Sequence, residues 1–158
     1  MNPLFDQLSG LVAAGGPREK LLASLMNAIL AGFHSETGTL HRLEADTQCL
    51  KLVAQKGLPP QMLDIVGTIP VGKGIAGQVA AQNRPVTLCN LQTDTSGVAK
   101  PGARQTGVGG ALCVPVCHAG VLVGTLGVGT RREYEYTLEE TAQLEAVGRM
   151  IAPLCLVD

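Results

Sequence analysis

A glycine run, Gly72-Lys-Gly74-Ile-Ala-Gly77, has the spacing in this chain that comes nearest to a chemical motif. It matches G-x-G-x-x-G, and Asp94 stands about 20 residues past Gly74, where a dinucleotide site would place an acid for the ribose hydroxyls. The context is wrong for that chemistry. Only Ile69-Pro-Val71 precedes the glycines, and proline cannot donate to a ladder, which confines it to edges and strand ends. No alternation of strands with long helices follows. No G-K-[ST] closes the run, so a phosphate loop is excluded as well. The glycines instead turn an extended segment into a short helix, Ile75 to Asn83, whose leading N–H groups offer a modest attraction to an anion.

Five cysteines and three histidines are the other reactive side chains. Cys49, Cys89, Cys113, Cys117 and Cys155 are odd in number and form no C-x-x-C pair, which excludes a disulfide framework or zinc ribbon. Cys113 and Cys117 on one extended strand would lie about 13 Å apart at ~3.3 Å per residue, beyond the roughly 7 Å reach of a disulfide. Mostly buried thiols and a cytoplasmic location are expected. His34, His41 and His118 have no metal-ligand spacing, so no metal is expected. Glu44, Asp46, Glu133 and Glu135 fall in turns, and no Ser-His-Asp set suggests itself.

Composition narrows the partners. A chain of 158 residues is one domain by length and large enough for a core. Net charge is −1, Trp is absent and there are two Phe and two Tyr, which leaves neither a basic patch nor a stacking platform for nucleic acid. No window approaches the ~18 apolar residues of a membrane span, and no signal peptide is visible.

These residues need elements to position them. Leu4, Leu8 and Leu11 recur at helical spacing up to the hinge Gly15-Gly16, giving a helical extension over residues 1–16 ahead of a single domain, 17–158. Pro17 opens a second helix with an apolar stripe from Leu21 to Phe33, wider than one core face requires. Thr37 to Glu44 and Cys49 to Lys56 are strands, the second with Leu50, Leu52 and Ala54 on one face. Gln61 to Val66 forms a short helical turn. Val86 to Cys89 is a strand after Pro85. Leu91 to Gly109 has no periodicity, and loops this long in a compact domain are commonly functional. Gly110 to Cys117 and Val121 to Gly129 pair through His118-Ala-Gly120 and are apolar on both faces, hence central and covered from each side. Arg131 to Tyr136 is a polar loop. Thr137-Leu-Glu-Glu140 is a capping box for a helix carrying Leu138, Ala142, Leu144, Val147 and Ile151, ended near Pro153.

That order resembles the GAF domain, as do Ile69-Pro-Val-Gly-Lys-Gly-Ile-Ala-Gly77, Pro85-Val86, Val114-Pro-Val116, Gly120-Val-Leu-Val-Gly-Thr-Leu126 and Tyr136-Thr-Leu-Glu-Glu140. The resemblance spans about Lys20 to Ala152. It implies an α+β, GAF/PAS-like fold with a central antiparallel sheet of five to six strands and helices packed on it. It implies a non-enzymatic sensor of a small-molecule effector in signal transduction, acting on a separate output protein, with the cofactor left unknown. Free methionine-(R)-sulfoxide reductases of the same fold are the alternative, yet they carry cysteines where Ala76 and the neighbourhood of Arg104 stand here. A dimerisation module with a vestigial pocket is the third reading. The Cys117-His118 pair resembles a bilin attachment site but falls at a hairpin, and the Asn-Lys-Phe-Asp-Glu signature of cyclic-nucleotide binders is missing.

Two expectations follow. The wide stripe of the second helix calls for a homodimer through the terminal helices. A ligand would sit between the sheet and the Leu91 to Gly109 segment, with Asp94, Thr95 and Arg104 as polar contacts, Val98 and Val108 as apolar wall, and His41 and Cys113 as floor.

Overall fold

In a computed structural model of the chain, residues 3–93 and 107–156 are described. Helices α1 (Pro3–Ala14) and α2 (Arg18–Gly32) lead into strands β1 (Thr37–Glu44) and β2 (Cys49–Lys56). A 3-10 turn (Pro60–Met62) and α3 (Leu63–Val66) precede β3 (Thr68–Pro70), α4 (Gly74–Gln82) and β4 (Val86–Leu88). The long hairpin β5 (Ala111–His118) and β6 (Val121–Gly129) follows, then α5 (Leu138–Ile151) and a closing 3-10 turn (Ala152–Cys155). Six strands form one sheet in the order β3-β2-β1-β6-β5-β4, every neighbouring pair antiparallel. This is the α+β architecture, with a central antiparallel sheet, that the resemblance implied.

Parity along the three central strands decides what each face does. Leu40 of β1, Leu126 and Val128 of β6, and Leu112, Val114 and Val116 of β5 belong to one core with Leu25 and Ile29 of α2 and Leu144, Val147 and Ile151 of α5. That face is the main hydrophobic core. The opposite face carries Thr37, Thr39 and His41 on β1, each aligned with Gly129, Gly127 and Thr125 on β6. It is covered by the segment from the first 3-10 turn through α4.

The glycine run performs the structural task expected of it. Gly72 has φ 93°, a conformation that side chains disfavour. Its N–H donates to the Gly77 carbonyl at 2.8 Å, and a Cβ on Gly77 would lie 2.6 Å from the Pro70 carbonyl oxygen. So the turn closes directly onto the helix it starts. Asn83, with φ 51°, ends α4 in the left-handed conformation and donates its N–H to the Val79 carbonyl. Thr137 and Glu140 form the reciprocal capping box at α5.

Three expectations need correction. Leu50, Leu52 and Ala54 do not share a face: the register skips Val53 between the pairs Leu40–Ala54 and His41–Leu52. This bulge turns Leu50 and Leu52 towards the His41 face and leaves Val53 and Ala54 packed against the main core. Leu138, counted with the buried stripe of α5, is 91% exposed, because the cap at Thr137 places it on the outer side of the first turn. The Arg131 to Tyr136 loop is not merely polar. Tyr136 is buried with its hydroxyl 2.7 Å from Ser35 Oγ, and Tyr134 meets its ring edge-on at 4.9 Å.

The wide α2 stripe, as expected, packs against a second partner as well as the sheet. Its second partner is α1 of the same chain: Leu8 is fully buried, and Leu4 lies where a Gly32 side chain would stand, 2.8 Å from that Cβ position. Leu11 and Phe5 pack there too. The width of the stripe is therefore met within one chain.

Candidate functional site

Three cross-strand rows floor the second face of the sheet: Ala111–Gly129–Thr37, Cys113–Gly127–Thr39 and Pro115–Thr125–His41. The middle strand contributes glycine in two of the three rows. A Cβ on Gly129 would lie 2.7 Å from Thr37 Oγ1 and 2.9 Å from Val108 Cγ1, and one on Gly127 would lie 3.2 Å from Thr39 Oγ1. Bare backbone at these positions lets side chains from β1, β5 and the loop end at Val108 converge above β6.

A cavity of about 230 Å³ lies over this floor. Met62, Ile65 and Val66 cover it from the 3-10 turn and α3, Ile69 from β3, and Gly74, Ile75 and Ala76 from the start of α4. Leu91 and Val108 close one side, where they form a small cluster with Ala111, Ile75 and Leu88. The two ends of the non-periodic segment are tied together at this wall. Leu91 N–H donates to the Gly109 carbonyl at 2.6 Å and Gln92 Nε2 to the Val108 carbonyl at 2.9 Å.

The polar groups on the wall are few. His41 is 1% exposed, and its Nε2 lies 2.8 Å from the Val66 carbonyl oxygen. A carbonyl can only accept, so Nε2 carries the ring hydrogen and Nδ1 a lone pair. Burial holds this imidazole below the ordinary histidine value of 6.5, against the opposing pull of the Val66 carbonyl, so it is neutral at pH 7. Nδ1 is buried without a hydrogen-bond partner among the described residues. Burial also pushes the Cys113 thiol up to about 12, offset only in part by the Thr125 hydroxyl and the Val114 backbone. Lys73, exposed, stands at the rim. Helix α4 begins at that rim with no side chain capping its N-terminal N–H groups.

Of the residues expected at a ligand site, the structure brings His41, Cys113 and Val108 together on this one cavity. Asp94, Thr95, Val98 and Arg104 lie outside the described residues. Sequence reasoning missed Thr37, Thr39, Met62, Val66 and Ala76. The two threonines had a signal, since Thr37, Thr39 and His41 repeat with the period of a strand. Among the described residues, no group of three or more His, Cys, Asp or Glu is placed to hold a metal. No described helix is long and apolar enough to cross a membrane. Cys117 and His118 end β5 away from the cavity, the thiol 3.6 Å from Asn83 Oδ1.

A family model described as the GAF domain matches residues 17–153. The chain belongs to the GAF domain family. Among solved structures, the GAF domain of a phosphoenolpyruvate-protein phosphotransferase from Coxiella burnetii superposes with a TM-score of 0.82 at 18% identity, over 97% of this chain and 90% of that one. The corresponding Acinetobacter domain gives 0.78 at 19%, over 99% and 94%. A free methionine-R-sulfoxide reductase from Neisseria meningitidis, solved with its substrate, gives 0.78 at 15%, over 97% and 86%. No curated protein matches the chain. At these identities the structural likeness speaks for the fold, which GAF domains of phosphotransferases and methionine sulfoxide reductases share.

Proposed function

We propose that this GAF domain is a sensing module that binds a small-molecule effector in the 230 Å³ cavity and reports its occupancy to a separate output protein, without catalysis. The observation that carries this reading is the cavity wall itself: apolar side chains from α3, β3 and α4 over a floor with a few buried polar atoms. That is the make-up of small-molecule sites, where apolar area gives affinity and a few polar groups give orientation. The volume lies below the roughly 300–1,000 Å³ of drug-sized pockets, which favours a small metabolite over a nucleotide or tetrapyrrole.

The cysteines support the non-catalytic side. Reduction of a sulfoxide by thiols needs a thiolate to attack and a second thiol to resolve the product. Cys113 is the one cysteine among the described lining residues, and its thiol is held at about 12. Ala76 also lines the cavity, and residues 94–106 contain no cysteine in sequence. Native mass spectrometry of the gently purified chain tests the sensing reading, with a small molecule retained at one equivalent as the expected outcome. Turnover of free methionine sulfoxide in an NADPH-coupled assay, abolished by Cys113→Ser, would overturn it in favour of the enzyme.

A further inference from the structure

We propose that the cavity selects a small carboxylate with an otherwise apolar body, its anionic oxygens held between the Thr37 hydroxyl, the first turn of α4 and Lys73. This rests on the sensing reading above and gives it a ligand class.

The starting point is a surplus of donors on the wall. Gly74, Ile75 and Ala76 all line the cavity, and their N–H groups, at the start of α4, have no acceptor among the described residues, from side chain or backbone. Lys73, one position ahead, is the one formally charged side chain among the described lining residues and makes no ion pair or side-chain hydrogen bond with them. The Thr37 hydroxyl is a second, independent donor. Thr37 is 5% exposed and lines the cavity. Its Oγ1 lies 2.7 Å from where a Gly129 Cβ would stand, which puts it on the face that Gly127 and Gly129 leave open. No described group bonds to that hydroxyl. Val108 links the two ends: its Cγ1 lies 2.9 Å from the same Gly129 Cβ position, and it packs in one cluster with Ile75 and Ala111. A buried hydroxyl, a helix start and an ammonium therefore converge, and a ligand that answers them brings acceptors and negative charge. One lysine suits a single charge, whereas a phosphate monoester carries about 1.5 to 2. The described lining residues include no Asp or Glu, so an ammonium would be desolvated without a counter-charge, which disfavours amines and amino acids. Met62, Ile65, Ile69 and Leu91 enclose the rest of the space, and that enclosure suits an apolar body.

Phenylacetate, phenylacetamide and phenylglycine share one skeleton and test this on the whole 15N-labelled chain, titrated while the backbone amide resonances are followed. Phenylacetate is expected to move the Gly74, Ile75 and Ala76 amides and to bind about tenfold more tightly than its neutral amide, the size of effect that a hydrogen bond to a charged group gives. Phenylglycine, with the same carboxylate and an added ammonium, is expected to bind no better than the amide. Lys73→Met, at an exposed position, should bring the ratio of phenylacetate to phenylacetamide affinity towards one. Thr37→Val, which keeps the shape and removes the hydroxyl, should weaken phenylacetate about tenfold. Should Thr37→Val fail to fold, Lys73→Met and the three probes decide. Equal binding of phenylacetate and either other probe with the cavity amides shifted overturns the carboxylate reading and leaves the cavity as the site. So does an unchanged ratio in Lys73→Met, or an unchanged phenylacetate affinity in a folded Thr37→Val. No binding by any of the three, with the cavity amides unshifted, overturns both.

Discussion

Cysteine reactivity separates a sensor from a thiol enzyme most directly, because the thiolate and not the thiol attacks. The perturbation is alkylation of the folded chain by iodoacetamide at pH 8, with each cysteine followed by peptide mass spectrometry. Cys113 sits on the cavity floor with its thiol raised from 9.0 to about 12 by burial. That displacement lowers the thiolate fraction at pH 8 about a thousandfold relative to a thiol at its ordinary value. Restricted access to a buried sulfur adds to the protection. Cys155, also buried, is pushed up to about 11, which gives roughly a hundredfold. Cys89 is exposed; local desolvation and then the charges of Glu133 and Glu135 raise its thiol, but nothing shields it from reagent. The expected order is Cys89 well ahead of Cys155, with Cys113 last and modified only as the fold opens. Cys113 reacting on the timescale of Cys89 in folded protein would refute the reasoning. It would mean a reactive thiol on the cavity wall and reopen the enzyme reading.

Three further outcomes follow from the packing and the charges. Because the folded state holds His41 below 6.5, the unfolded chain binds a proton first as pH falls, so stability is full above about 6.5 and drops below it; urea midpoints at pH 7.5 and 5.5 should show a steeper loss in the native chain than in His41→Asn, and equal slopes would exclude this origin. Leu8→Ala should cost about 2–5 kcal/mol in chemical denaturation, since Leu8 is fully buried; a neutral result would detach α1 from the fold. A Cβ on Gly124 would lie 2.1 Å from the His41 carbonyl oxygen, so Gly124→Ala should lose about 1–3 kcal/mol or more by forcing β1 and β6 apart, and an unchanged melting temperature would contradict that geometry.

The elements of this fold were legible where local chemistry alone decides them. The capping box at Thr137, the glycines before α4, Asn83 at its end and the hairpin turn after Cys117 each depend on neighbours within a few positions. What local pattern could not show is how strands register. The alternation of Leu50, Leu52 and Ala54 runs unbroken in sequence, and only pairing with β1 reveals the extra residue at Val53. The α2 stripe announced a missing partner without saying that α1 would fold back to supply it. Tyr134 and Tyr136 looked like loop residues because nothing in their spacing points to Ser35, about a hundred positions earlier.

The candidate site shows the same division at closer range. His41, Cys113 and Val108 come from three separate segments, and no spacing rule brings them together. Antiparallel register does: His41 and Thr39 on β1 align with Thr125 and Gly127 on β6, and Gly127 in turn aligns with Cys113 on β5. The same strand of β6 alternates Leu126 and Val128 towards the main core with Gly127 and Gly129 towards the cavity. Large residues on one side anchor the sheet to α2 and α5, and the absence of side chains on the other leaves the space. Stability and cavity are thus written into alternate positions of one strand. A single-residue slip of β6 against its neighbours would bury the glycines in the core and fill the cavity with leucine and valine.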